Sequence, residues 1–394
     1  MYDLIVVGGG PGGTAVASYV AKEGKKVLLI EKSSFPRFKI GESLLPYSMT
    51  VFNDLGFDKT LATGDYLKKV GALFIDSNTN SEVYFDFTNK GQAKFPFSYE
   101  VERARFDTDF LNFSTTLGVE VRQPEQFIDC ELLKESVRVK TNKGLYESKY
   151  IVDASGGLSV IANKFGRKEV NHDYNNNFAV YSHFEDISRS HQRDDGDITI
   201  GILKNSSWSW TIPFYGNKTS IGVVSSRNEL SKEKNLESFF NMKLDENLWL
   251  KEILATGKRT LDFQLASNFS RSPGVFVGER WGALGDAVGF LDPVFSSGVH
   301  VSLMSAKFLS QNIIKSLSLP EIGLNSSVNS CDYELTIRRG ILRFHNLLQM
   351  FYSGEFIRKV ESLSSRERAM AMMTKAVAGG MWDEDNTLFR TGVL

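Results

Sequence analysis

The chain has 394 residues, 42% hydrophobic and 24% charged, enough for a sizeable core shared by two joined domains. A formal net charge of −1 gives no electrostatic reason to expect a nucleic-acid partner. Two distant cysteines, Cys130 and Cys331, exclude a disulfide framework or a CxxC metal site, and the five histidines lack ligand spacing, so no metal is expected.

Residues 2–7, YDLIVV, read as a buried strand ended by glycine. The loop GGGPGG follows and fits G-x-G-x-x-G at Gly8, Gly10 and Gly13. The first glycine permits the turn, the second lets backbone approach a pyrophosphate, and the third allows close helix–strand packing. Pro11 suits a helix start and Gly24 its end, so a helix is expected from Pro11 to Glu23, its N-terminus facing phosphate. A second strand, Lys26–Ile30, delivers Glu31, an acid placed to accept from ribose hydroxyls. Acid rather than arginine here argues against a 2′-phosphate. Strand, glycine loop, helix, strand and acid occur in full order, so the chain binds a dinucleotide; the motif alone does not separate FAD from NAD.

Downstream, residues 149–156 run from a strand into the small-residue turn VDASG. Residues 275–289, VFVGERWGALGDAVG, read as a strand-like stretch ending at Gly285-Asp286, whose carboxylate suits a sugar-alcohol chain. A long helix is expected from about Val299 to Leu317, and backbone N–H groups near Ser297 and Gly298 would sit at its start. Strand-like stretches such as 178–181 and 198–200 suggest a second sheet, and residues from about 332 to 379 read as helices. The 29 phenylalanines fit a Phe-rich core or a pocket for a flat apolar substrate. No signal peptide heads the chain, and no stretch reaches the ~20 apolar residues of a membrane span, so a cytoplasmic protein is expected.

At these motifs the sequence resembles the FAD-dependent aromatic hydroxylase and geranylgeranyl reductase superfamily, and within it the flavin-dependent halogenase-like branch. The matching stretches, in order, are GGGPGG, FPRFKIGESLLP (35–46), VERARFD (101–107), VDASG, GDAVGFLDPVFSSGV (285–299) and the closing AGGMWDEDNTLFR. The resemblance implies that Arg103 contacts the cofactor, that Asp286 binds the ribityl chain, and that Ser43 of Gly41-Glu42-Ser43 lies near the flavin. Trp208-Ser209-Trp210-Thr211-Ile212-Pro213 reproduces the branch's WxWxIP signature, and Phe290, Pro293, Ser296 and Gly298 match its F-x-x-P-x-x-S-x-G pattern. By that resemblance the backbone at Ser297 and Gly298 holds halide beside FAD. Trp208, Trp210, Pro213 and Phe295 lie near flavin or substrate. Tryptophan halogenases place a glutamate where this chain has Phe295, so the resemblance is to the phenol and pyrrole types. Lys69, of Lys68-Lys69-Val70-Gly71, matches the lysine that carries or hydrogen-bonds hypohalous acid; two solvated lysines before a strand are the alternative.

The implied fold is α/β. A Rossmann-type FAD-binding domain spans 1–75, 100–175 and 270–330, an inserted, mainly antiparallel substrate sheet spans 76–99 and 176–269, and a C-terminal helical region spans 331–394. The implied reaction uses reduced FAD from a separate flavin reductase, oxygen and halide on a small aromatic substrate, free or carrier-bound. The alternative on the same fold is a monooxygenase or a dehydrogenase/reductase of an apolar substrate.

Overall fold

The computed structural model describes residues 1–89, 93–166, 177–189, 194–230, 233, 235–267, 274–289, 291–318, 327–363 and 367–389. Tyr2–Val7 is the central strand of the first sheet. It pairs in parallel with Val27–Ile30 on one side and with Leu145–Asp153 on the other. Glu120–Arg122 extends the first side, and Trp281–Ala283 the second. The central strands show no alternation of apolar and polar positions. Leu4, Ile5, Val6, Leu28, Leu29, Ile151 and Val152 are all fully buried, as expected of a parallel sheet covered on both faces. The chain changes direction across the sheet at the central strand, so a crevice opens where Tyr2–Val7 and Leu145–Asp153 end.

The fingerprint helix runs Pro11–Lys22. The next strand begins at Val27 rather than Lys26, because the Lys26 N–H is taken by the Asp3 carboxylate at 2.9 Å. The single strand-like stretch expected before Gly285 is instead a hairpin, Val277–Gly278 with Trp281–Ala283. Arg280 makes its turn at φ 59° and is held there by donating to the Lys134 carbonyl at 2.8 Å. The long helix starts at Ser297, two residues earlier than the pattern suggests, and continues to Ser318.

Among the described residues the second sheet has eight strands, with Asn177–Glu185 and Lys218–Ser226 at its centre and Trp208–Pro213, Ile198–Ile202, Gly71–Asp76 and Ser81–Asp86 following outward. All its pairings are antiparallel except Ile198–Ile202 with Gly71–Asp76. Period-two alternation divides its faces. Phe178, Val180, Ile221 and Val223 pack under the helices Leu236–Asp245 and Leu248–Ile253 in a cluster of their own. Ile198, Ile200, Trp208 and Trp210 join the main core on the opposite face. A short ribbon, Leu67–Lys69 with Ser98–Glu100, sits apart from both sheets. The C-terminal helices Ser327–Tyr352, Phe356–Leu363 and Glu367–Val377 close the fold.

Candidate active site

Two of the fingerprint glycines are required by the protein's own packing. A Cβ on Gly8, which sits at φ 113°, would run into the Ala154 carbonyl, and one on Gly13 would run into the Gly8 carbonyl. Gly10 is different: a Cβ there would meet only the tip of Arg37, at 3.7 Å. Nothing in the polypeptide demands a glycine at that point, whereas a pyrophosphate approaching the backbone does. The helix that follows has Pro11 in its first turn, no acidic residue there and no side-chain cap, which leaves its positive end for an anion. Glu31 is buried, its two oxygens accepting from the Gly9 N–H at 2.7 Å and the Ser33 N–H at 2.9 Å. Those bonds fix the carboxylate beside the glycine loop, where an adenosine ribose would lie. The residues present therefore fit a bound FAD.

In VDASG the carboxylate of Asp153 is a staple. It accepts from the Ser155, Ile161 and Ala162 N–H groups at 3.0, 2.7 and 2.9 Å, shaping the turn whose Ala154 carbonyl abuts Gly8. Arg103 begins the helix Arg103–Thr116. Its Nε and Nη2 donate to the two oxygens of Asp107 at 2.8 and 3.0 Å, and Nη1 donates to the Ile40 carbonyl at 2.7 Å. The adjoining carboxylate holds the guanidinium pKa above its ordinary value against the cost of burial. Arg103 thus anchors the Ile40-Gly41 backbone ahead of Ser43. The charges of Asp286 and Glu42 act on the same guanidinium.

Asp286, Gly289, Leu291, Ser297, Gly298, Val301 and Ile341 line one cavity. Lys69, Phe74, Phe87, Ile200, Phe295, Ser296 and Val377 are among the residues lining a second. The wall between them is one stretch of chain: Val294, Phe295 and Ser296 face the second cavity, Ser297 and Gly298 the first. Ser296 turns the chain at φ 54° directly before the long helix. This arrangement puts the expected halide-holding backbone on one side and the expected lysine on the other.

Lys69 is 1% exposed, which removes the reading of a solvated lysine. Its Nζ donates to Ser43 Oγ at 2.7 Å and to the Leu44 carbonyl at 3.2 Å, and the Phe87 ring lies 6.0 Å away. Burial pulls its pKa down, partly opposed by the charges of Glu100 and Asp197. Phenylalanines serve both expected purposes. Phe52, Phe57, Phe106 and Phe110 pack on one another, while Phe74 and Phe295, 5.8 Å apart, line the lysine cavity.

The two tryptophans of WSWTIP are buried in the strand Trp208–Pro213, and neither is among the residues lining the lysine cavity. Pro213 pairs with Thr219 at the strand's end. Trp210 donates to Ser220 Oγ at 3.1 Å. Trp208 donates to the Tyr352 hydroxyl at 3.1 Å, and that hydroxyl donates to Asp292 at 2.8 Å. Asn177 donates to the same Asp292 oxygen at 3.2 Å, and burial pushes the Asp292 pKa above the usual carboxylate range. The node ties the covering sheet and a C-terminal helix to the start of the wall. Phe290 lies outside the described residues. Sequence reasoning passed over Glu100, Tyr352, Asn177 and Val377. Asp292 lies within a matched stretch but at an unspecified position of F-x-x-P-x-x-S-x-G, so the pattern gave no signal for it.

Residues 3–95 and 86–391, in two overlapping stretches, match the tryptophan halogenase family. The chain belongs to that family. It is 30% identical over 380 residues to a 1H-pyrrole-2-carbonyl-[peptidyl-carrier protein] chlorinase of Pseudomonas fluorescens, covering 89% of this chain and 83% of the relative. The solved structure of the flavin-dependent brominase Bmp2 superposes with a TM-score of 0.88 at 25% identity, covering 100% of this chain and 98% of that one. The myxobacterial chondrochloren halogenase CndH, an FAD-dependent halogenase, superposes at 0.82 with 31% identity, covering 99% and 92%. The halogenase family's cofactor is FAD, and the α/β fold with its covering sheet and helical C-terminal part is the halogenase fold. Among the described residues no helix is long and apolar enough to cross a membrane, and no group of three or more His, Cys, Asp or Glu could hold a metal ion.

Proposed function

We propose that the chain halogenates an electron-rich aromatic ring of the pyrrole or phenol type, free or tethered to a carrier protein. Reduced FAD would come from a separate flavin reductase, in the cytoplasm. The observation that carries this reading is Lys69, buried against an aromatic cavity and separated by a single turn of chain from Ser297 and Gly298.

Reduced FAD, when bound, supplies hypohalous acid from oxygen and halide. The glycine loop, Glu31 and Asp286 would hold it, with Arg103 fixing the loop at Ile40-Gly41 beside it. Backbone N–H groups at Ser297 and Gly298, at the start of a 22-residue helix, favour an anion. The wall keeps the aromatic ring off the cofactor and directs the oxidant toward Lys69. Phe74, Phe87 and Phe295 exclude water from Nζ, so the oxidant is not lost to side reactions. The relative's carrier-bound pyrrole and the apolar residue at Phe295 support the substrate class. The two-domain division at 1–75, 100–175 and 270–330 against 76–99 and 176–269 is part of this proposal, with the second unit, which supplies the substrate side, reaching back to Gly71 because Gly71–Asp76 pairs within the second sheet.

The test offers pyrroles and phenols, free and carrier-bound, to the protein with FAD, a flavin reductase, NADH, oxygen and bromide, and scores products by mass. Bromide-dependent mass gain that disappears in Lys69→Ala is the expected result. Products gaining oxygen or losing two hydrogens regardless of halide would refute halogenation in favour of oxygenation or dehydrogenation.

A further inference from the structure

Lys69 is one end of a buried chain of three side chains. Its Nζ donates to Ser43 Oγ at 2.7 Å, and Ser43 Oγ donates to Glu100 Oε1 at 3.0 Å. The three residues are 1%, 4% and 1% exposed. Backbone pairing holds them rigidly: Leu67 lies opposite Glu100, Lys69 opposite Ser98, and Ser43 bridges to Glu100. The second oxygen of Glu100 is buried without a hydrogen-bond partner among the described residues. Holding cofactor, halide and ring in the two cavities does not require this carboxyl.

We propose that Glu100 is the proton acceptor for Lys69, reached through the Ser43 hydroxyl, so that the lysine meets hypohalous acid as a neutral amine. Glu100 acts through Ser43 and is a positioning residue. The proposal rests on the halogenase reading and deepens it.

The surroundings favour the transfer. Burial disfavours ammonium and carboxylate alike, and passing one proton from Nζ to the carboxyl removes both charges at once. Glu100 faces the like charges of Asp197 and Glu42 as well as Lys69, and burial raises its pKa to about 8. Asp197 in turn accepts from the Tyr84 hydroxyl and the Val70 N–H, and Glu42 is paired with His183 at 2.8 Å and lies in the field of Arg103.

The steps balance. An Nζ proton passes to Ser43 Oγ as the Ser43 proton passes to Glu100 Oε1, leaving an amine and a carboxylic acid. The amine nitrogen attacks the halogen of hypohalous acid; the N–halogen bond forms, the halogen–oxygen bond breaks, and hydroxide leaves with an amine proton as water. The ring carbon then takes the halogen from nitrogen, and the ring proton replaces it there.

The test is spectroscopic first. The full chain, labelled with 13C at lysine Cε, is titrated by NMR, with Lys69 assigned by the loss of its signal in Lys69→Arg. The infrared carboxylic-acid band is followed in parallel and assigned by its shift in Glu100→Asp and its loss in Glu100→Gln. The expected result at about pH 7 is a neutral Lys69 amine together with a protonated Glu100 carboxyl. A Lys69 that stays an ammonium to about pH 10, as an ordinary lysine does, overturns the proposal. So does an ionised Glu100 at about pH 7. In turnover at pH below the Lys69 titration of the variant, Glu100→Gln should lower kcat by about 100-fold with the aromatic KM and FAD binding unchanged. It should also make the rate fall on the acid side of the Lys69 titration, with Glu100→Asp restoring part of the rate. An unaltered kcat and pH profile in Glu100→Gln would likewise overturn it. If Glu100→Gln does not fold, the NMR titration and Glu100→Asp still decide. The spectra need no substrate, so expected spectra with no halogenation of any substrate would count against the proposed function and not against the relay.

Discussion

Gly10 and Gly13 carry the same residue for different reasons, and the difference is measurable. Gly13→Ala drives a methyl into the Gly8 carbonyl, an overpacking that costs about 1–3 kcal/mol or more, so its thermal midpoint should drop markedly without any ligand. Gly10→Ala has room, so the apoprotein should keep its midpoint while FAD affinity, followed by flavin fluorescence, falls. Equal thermal loss in both variants would show that Gly10 serves packing instead. His300 offers a second test. Its ring is buried between Ser48 Oγ at 3.0 Å and the Gly379 carbonyl at 2.9 Å, and burial lowers its pKa from 6.5 to about 4. The unfolded chain therefore binds this proton more readily than the folded one. Stability from His300 is complete above about pH 6.5 and is lost as pH falls toward 4, a span worth about 3 kcal/mol. His300→Gln should flatten the dependence of the thermal midpoint on pH across that window, and an unchanged slope would place the acid sensitivity elsewhere.

The short element from Asp292 to Ser296 is held by distant hydrogen bonds as well as by its own. Tyr352→Phe removes the hydroxyl that joins Trp208 to Asp292, while Asn177 still donates to that carboxylate. The expected stability loss is about 1–3 kcal/mol. Because Ser297 and Gly298 follow directly on this element, the halide KM should also rise and more of the oxidant should escape as peroxide. A stability loss with halide KM and peroxide yield unchanged would limit the node to architecture. This level shows what the chain discloses before folding. The central strands, the fingerprint helix and the helix near Ser297 are local patterns of period or punctuation, and they could be read directly. The hairpin at Glu279-Arg280 could not, because its left-handed turn is imposed by a contact with Lys134. Lys69 was legible only by likeness, since a lysine at a strand end is ordinarily solvated. Glu100, Tyr352 and Asn177 acquire their roles from partners 57, 60 and 115 residues away, a distance at which no local pattern operates.

Across the whole molecule, the last helix and the segment after it finish the site. Val377 lines the lysine cavity, the Ala378 carbonyl accepts from the Tyr47 N–H at 3.1 Å, and Tyr47 donates to Asp383 at 2.7 Å. The glycine loop, Glu31 and Asp286 lie on other parts of the chain. A chain ending after Leu363 should therefore still bind FAD but lose halogenation, with hypohalous acid trapped in solution instead of on substrate. Loss of FAD binding together with activity would mean that the C-terminal region supports the first sheet as well.

The wall between the two cavities has a further consequence for how such an enzyme diversifies. Neighbouring residues face different cavities: Phe295 lines the one with Lys69, and Ser297 and Gly298 line the other, so under the proposed function the first would meet the guest ring and the others would offer backbone to an anion. Side chains on the guest side can be exchanged in a search for new substrates while the oxidant-making side is left alone. An insertion or deletion of one residue here would put both sides out of register together, so variation at this point should be confined to substitution.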